Sequence, residues 1–354
     1  MILPVDTQIR INRWEARKSV VQKEKWRYNA CYVTSEDKAM KKEHPEAREA
    51  TTAEWTVTRR DFLKASGFVF AGLSMGALFA YAAEPGSNTK VRFGIVTDSH
   101  YADHAPWGSR HYRESAAKMT ECVKLMNDKK VDFLVELGDF KDQGNPVSEK
   151  DTLKYLEAIE RIFRKFKGPR YHVLGNHDSD SISKAQFLAR VENTGISDLS
   201  GYYSFDSNDL HFVFLDANYN ADGSDYDHGN FNWTDANIPR NEIDWLRNDL
   251  GASSEPVIVF VHQQLDGEGS HYVNNAAEVR QILQGSERVL AVFQGHNHSG
   301  HYSHIEHTHY YTLKAMVEGA GDKNNSYAIV DVHENQNIVV TGYRRALSRE
   351  MENA

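Results

Sequence analysis

Five apolar runs of strand length each break off at a polar cluster built from Asp, His and Asn. The runs 91–97, 131–137, 171–174, 256–261 and 289–294 lead into Asp98-Ser99-His100, Gly138-Asp139, Gly175-Asn176-His177-Asp178, His262 and Gly295-His296-Asn297-His298. Segments of helical period lie between several of them, at 112–126, 151–166, 185–191, 241–250 and 276–283. Strands alternating with helices predict a layered α/β domain. A further strand is expected at 211–215, and three without helices at 310–317, 327–332 and 338–343. No repeat or Pro-rich linker interrupts 90–346, which reads as one domain. In open α/β sheets, ligands collect at the carboxyl ends of strands, so these clusters are expected to converge. Their glycines allow tight turns and close backbone approach where the polar side chains fan out.

The clusters have a chemical logic. Asp and His together suit borderline divalent metals such as Mn, Fe and Zn, whereas a calcium site is almost all oxygen. Seven candidate ligands (Asp98, His100, Asp139, Asn176, His262, His296 and His298) are too many for one tetrahedral zinc. They fit two metals sharing a carboxylate, and two ions about 3.5–4 Å apart clamp an in-line displacement at phosphorus. Histidine is abundant, at 17 residues, and it is the commonest metal ligand and the usual proton carrier near neutral pH. Two cysteines, Cys31 and Cys122, exclude a disulfide framework, and Cys122 reads as a small core residue.

Charge divides the chain. Residues 1–82 hold 14 Lys/Arg against 10 Asp/Glu, while the remainder holds 27 against 40, within an overall net charge of −9. An acidic domain excludes a broad nucleic-acid surface. Residues 1–50 read as a polar extension, or as the product of a start codon placed too far upstream. Over 51–82, Arg59-Arg60, the uncharged stretch 65–83 and Ala80-Tyr81-Ala82 resemble a twin-arginine export signal. Export through that machinery to the periplasm or outside the cell is expected, with an uncleaved membrane anchor as the alternative. The domain proper is then 83–354.

In order, Asp-x-His, Gly-Asp, Gly-Asn-His-Asp, a lone His after a strand and Gly-His-x-His resemble the calcineurin-like metallophosphoesterases. The resemblance covers about 90–345 and implies a two-sheet sandwich of mixed β-sheets flanked by helices. It places one metal on Asp98, His100, Asp139 and His298. The second falls to Asp139, Asn176, His262 and His296, with Asp139 bridging. It makes His177 the general acid for the leaving group, oriented by Asp178, and a metal-bridging hydroxide the nucleophile. The implied activity is hydrolysis of a small phosphomonoester or phosphodiester substrate. A metal-binding scaffold without turnover is the rival from another class.

Two further stretches, His100-Tyr101-Ala102-Asp103 with Arg110-His111-Tyr112-Arg113-Glu114-Ser115, and 295–302 continuing to His309-Tyr310-Tyr311-Thr312-Leu313 and Val317-Glu318, look like the manganese-dependent ADP-ribose/CDP-alcohol diphosphatases. That branch often has Gln in place of His100. It raises diphosphate cleavage as an alternative activity. Purple acid phosphatases carry a tyrosine where this chain has Asp142, so no tyrosinate-bound iron is implied. Arg110 and Arg113 are candidates for binding a second phosphate, or else exposed helix residues paired with Glu114 or Glu121. Of the cluster His301, His304, His307 and His309, His301 and His309 are candidate substrate contacts lining the pocket. The long acidic and aromatic loop 219–237 reads as a binding lid.

Overall fold

Residues 257–261 show the alternation that builds the core. Ile258 and Phe260 point to one side, Val257, Val259 and Val261 to the other, and all five are buried. A strand covered on both faces reads as an unbroken apolar run, and here each face is claimed by a different layer. The computed structural model describes residues 88–353 apart from 198. The polar extension 1–50, the twin-arginine-like segment 51–82 and Cys31 lie outside the described residues.

The strands are β1 (Thr89–Val96), β2 (Phe133–Glu136), β3 (Arg170–His172), β4 (Tyr203–Ser207), β5 (Leu210–Phe214), β6 (Val257–Val261), β7 (Val289–Gln294), β8 (His301–Ile305), β9 (Thr308–Thr312), β10 (Ser326–His333), β11 (Ile338–Arg344) and β12 (Arg349–Met351). The α-helices are α1 (Ser115–Lys129), α2 (Glu149–Phe163), α3 (Lys184–Leu188), α4 (Arg240–Ala252) and α5 (Ala276–Gly285). One six-stranded sheet runs β12-β11-β10-β1-β2-β3, the other β4-β5-β6-β7-β9-β8. β1, β2 and β3 are mutually parallel, as are β5, β6, β7 and β9, while β10–β1, β10–β11, β11–β12, β4–β5 and β8–β9 pair antiparallel. Both sheets are therefore mixed, as the family resemblance implied.

The sheets face each other across an aromatic core. Phe93 stacks on Phe133 with ring centroids 5.0 Å apart and meets Phe260 edge-on at 5.6 Å. Truncating Phe93 to Ala is worth about 3–5 kcal/mol of stability, because this packed centre cannot collapse around the void. Outside the first sheet, Met119, Cys122 and Met126 of α1 and Leu156, Ile159 and Phe163 of α2 cover its face. Gly94 admits this contact: a Cβ there would stand 2.6 Å from Met126 Sδ. Ile243, Leu246, Val279 and Leu283 of α4 and α5 cover the second sheet likewise.

The expected strand at 310–317 stops at Thr312. Beyond it the backbone leaves the sheet, where Ala315 N–H donates to the His298 carbonyl, Met316 N–H to Thr97 and Val317 N–H to Asp98. Strands β4, β8 and β12 were not expected. β8 is a polar edge strand, largely exposed, and β12 has three residues, so neither carries an apolar run. Among the described residues no helix is long and apolar enough to cross a membrane.

Candidate metal centre

The five polar clusters meet at the carboxyl ends of β1, β2, β3, β6 and β7. To aim inward from such tight turns, the backbone takes conformations that L-residues rarely adopt: φ is 51° at Asp98, 42° at His100, 56° at Asp139 and 66° at His296. Strain of this kind persists only where its surroundings enforce it. Gly138 and Gly175 make room for the turns. A Cβ on Gly138 would strike the His262 ring at 2.6 Å, and one on Gly175 would collide with Asp139.

Four groups of ligand-type side chains result, two of them (His100, Asp139 and His177; Asp142, His177 and Asp180) built around His177 and two matching the expected metal sets. Ligand atoms of Asp98, His100 and His298 lie within 4.8 Å of one another, as do those of Asp139, His262 and His296. Asp139 Oδ2 stands between them, 3.5 Å from His100 Nε2 and 3.3 Å from His262 Nε2. His100 Nε2 and His298 Nε2 face each other at 3.2 Å, and His298 Nε2 is 3.3 Å from Asp98 Oδ1. Asp98 Oδ1, Asn176 Oδ1, His262 Nε2 and His296 Nε2 are buried without a hydrogen-bond partner. Buried polar atoms are nearly always satisfied, so a set of converging orphans is the signature of ligand atoms reserved for ions. The donor set and its geometry fit divalent metals.

The surroundings fix the rings for this task. His262 Nδ1 donates to the Leu137 carbonyl at 2.8 Å and His298 Nδ1 to Glu318 Oε1 at 2.6 Å, leaving each Nε2 as the free ligand atom. His100 Nδ1 faces Asp142 Oδ2 at 3.3 Å. Burial pushes the Asp98 carboxyl up, but His100, His298 and His262 outweigh it and hold the pKa well below the usual range. Asp139 behaves alike, with His262, His177 and His100 as the opposing charges. Burial and the neighbouring His262 push His296 well below its ordinary value, which keeps it neutral as a ligand must be.

His177 lines the cleft, its ring 4.6 Å from that of His100. Its Nδ1 lies 3.4 Å from both Asp142 Oδ2 and Asp180 Oδ2. Burial lowers its pKa, yet Asp139, Asp142 and Asp180 raise it further, to about 9. Asp178 does not orient it. That buried carboxylate accepts main-chain N–H groups of Gly175, Asp139 and Phe140 at 2.9, 3.1 and 3.0 Å, clamping two ligand turns together.

A cleft of about 410 Å³ opens onto the ligands, and Arg110 is the one Lys or Arg among its described lining residues. Arg113 is elsewhere, paired with Asp103 at 2.5 Å rather than with Glu114 or Glu121. His301 faces Asp266 at 3.5 Å, outside the cleft. His309 is also excluded, because its β9 position buries it against Tyr302 and the Glu352 carbonyl. Trp233 of the 219–237 loop does line the cleft, its ring 5.7 Å from His296 and 5.5 Å from His271. The base of that loop is held by Lys184 of α3, whose Nζ contacts Asp216 at 2.7 Å and Asp225 at 2.8 Å and sits over the Tyr219 ring. Sequence reasoning missed His271 and Asp180 as participants, included Glu318 only within the diphosphatase-like stretch without a role, and took Asp142 only as a departure from another family. Asp142 and Asp180 each stand within three residues of a candidate ligand or acid, the one signal that pointed to them.

A family model described as calcineurin-like phosphoesterase matches residues 91–300. The manganese-dependent ADP-ribose/CDP-alcohol diphosphatase of Oryza sativa subsp. japonica is 27% identical over 290 residues, covering 69% of this chain and 87% of the relative. The protein of the same name from Arabidopsis thaliana is 26% identical over 305 residues, covering 74% and 96%. A dimetal phosphatase structure from Danio rerio superposes with a TM-score of 0.67 at 21% identity, over 75% of this chain and all of that one.

Proposed function

Since the chain belongs to the calcineurin-like phosphoesterase family, a group of metal-dependent hydrolases of phosphoric ester bonds, we propose that its cleft holds two divalent ions and cleaves the diphosphate link of a small nucleotide-like substrate. One ion takes Asp98, His100, Asp139 and His298, the other Asp139, Asn176, His262 and His296. Manganese is the first choice, because the curated relatives are named manganese-dependent. When bound, such ions lower the pKa of water and neutralise charge on phosphoryl oxygens.

The protein's own groups supply the rest. His177, protonated and held through Nδ1 by Asp142 and Asp180, donates a proton to the departing oxygen. The observation that carries the substrate reading is Arg110, the one Lys or Arg among the described residues lining the cleft. A monophosphate is neutralised at the ions, whereas a second phosphate needs a further cation, and a guanidinium fork suits its oxygens. Trp233 and His271 offer flat faces for the remainder of such a substrate. Within the protein Arg110 neighbours Tyr112 and Glu318, and a second phosphate would give its guanidinium a partner from the substrate.

Assaying the purified protein with Mn, Fe and Zn against p-nitrophenyl phosphate, its bis-ester, ADP-ribose and CDP-choline tests this. Faster turnover of the two diphosphates supports the reading. Preference for the nitrophenyl esters returns it to a simple esterase, and no turnover with any metal favours a scaffold. We further propose export, resting on Arg59-Arg60 and Ala80-Tyr81-Ala82. A reporter fused after residue 82 should leave the cytoplasm, and an Arg59→Lys, Arg60→Lys pair should retain it.

A further inference from the structure

The side chain of Lys118 is fully buried in the first turn of α1, where the helix dipole disfavours a cation. Among the described residues no carboxylate lies within hydrogen-bond distance of it. Its ammonium donates instead to three main-chain carbonyls, Met316 at 2.8 Å, Glu318 at 3.3 Å and Gly319 at 2.7 Å. Burial of this kind is costly, and a methionine fills similar space without desolvating a charge. What the ammonium adds over an apolar side chain is the position of those three carbonyls.

The segment they belong to joins both sides of the cleft. On one side Ala315 N–H donates to the His298 carbonyl, Val317 N–H to that of Asp98, and the Glu318 carboxylate accepts from His298 Nδ1. On the other side His111 N–H donates to Val317, Gly319 N–H to Ser109, and Arg110 pairs with Glu318 through the backbone. Arg345 reaches the Glu318 carbonyl at 3.1 Å from the surface side. We propose that Lys118 is a positioning residue of the metal centre, fixing 316–319 so that Glu318 holds the His298 ring for the first ion. The inference rests on the reading of His298 as a metal ligand.

Binding of Mn2+ to the metal-free full chain, followed by the paramagnetic resonance of free Mn2+, tests it without an activity assay. Lys118→Met should weaken binding about tenfold, and Glu318→Gln by a similar factor, as removal of a ligand's orienting partner does. Because both act through His298, the double variant should lose little more than either single one. A folded Lys118→Met protein with unchanged affinity overturns the inference, and so does a double variant whose losses multiply. If thermal melting shows Lys118→Met to be unfolded, Arg345→Ala decides. A few-fold loss that vanishes in the Glu318→Gln background supports the role, and no loss overturns it. A wild-type chain that binds no Mn2+ sinks the metal reading itself, whereas normal wild-type binding with unaltered variants sinks only Lys118.

Discussion

The Asp178 carboxylate accepts the main-chain N–H of Asp139 at 3.1 Å, joining the turn after β3 to the turn that presents the bridging carboxylate. Two ligand-bearing turns from adjacent strands are thus fixed by one buried side chain, which also takes the N–H groups of Gly175 and Phe140. Asp139 is held at φ 56°, and the clamp is part of what enforces that conformation.

Removing the clamp should therefore damage fold and metal binding together. Asp178→Ala leaves the buried N–H groups of Gly175, Asp139, Phe140 and Lys141 without this acceptor, at about 1–3 kcal/mol each. A fall in melting temperature of at least several degrees and weaker Mn2+ binding are expected. If melting and metal binding stay at wild-type levels while only the pH profile of turnover moves, Asp178 acts on His177 after all.

His177 is separable from the ligands, because its Nδ1 points to Asp142 and Asp180 and its main-chain N–H donates to Asp139 Oδ1 at 2.7 Å. His177→Ala should keep both ions. Turnover of substrates with alkoxide or phosphate leaving groups should fall about 10²–10³-fold, and that of p-nitrophenyl esters far less, because a good leaving group needs no proton. Metal content by elemental analysis decides: its collapse in the variant makes His177 a ligand instead of an acid.

The contrast between Asp98 and Asp178 shows what the sequence discloses. Asp98, His100, Asp139, His262, His296 and His298 were legible because each follows an apolar run, and the fold rule for strand ends then brings them together. The same runs disclosed a layered α/β domain, and the family resemblance supplied the two-sheet sandwich, but the polar edge strand β8 and the half-buried β4 carried no such run. Asp178 lies in the same motif, yet its partner is decided by a main-chain turn thirty-nine residues away, which spacing does not encode. His301 and His309 failed for a related reason. They follow the ligand cluster closely in sequence, but β8 and β9 carry them away from the cleft. Glu318 was not legible as an orienting group because the chain leaves the sheet at Thr312, five residues before the expected strand end at 317, and turns back beside His298.

Behind the centre, His172 is buried with Nε2 3.2 Å from Glu160 and Nδ1 3.6 Å from Glu136, between the rings of Phe140 and Phe163. Burial lowers its pKa, but the two carboxylates raise it further, to about 9. Burial also raises Glu136, to about 8. Both groups hold more protons folded than unfolded. The stability they confer is full below their unfolded values and is lost as pH rises towards 8–9. The melting temperature of the metal-free protein should fall by several degrees between pH 6.5 and 9. His172→Gln should be less stable at pH 6 and show a shallower slope, since Glu136 alone still takes up a proton. Equal slopes in the two proteins would mean that His172 is not charged in the fold.

The cleft wall gives the last prediction, and it divides binding from chemistry. Arg110 and Trp233 supply none of the candidate ligand atoms, so replacing them should leave Mn2+ binding largely intact. If Arg110 takes a second phosphate, Arg110→Ala should raise KM for ADP-ribose about tenfold, the value of one charge-assisted contact. Trp233→Ala should add a smaller factor of about three to ten, as lost stacking does. Neither should change kcat/KM for p-nitrophenyl phosphate by more than about twofold, because that ester reaches only the ions and His177. Losses of equal size on both substrates would place Arg110 at the transferred phosphate itself, and with it the case for a diphosphate substrate would fall.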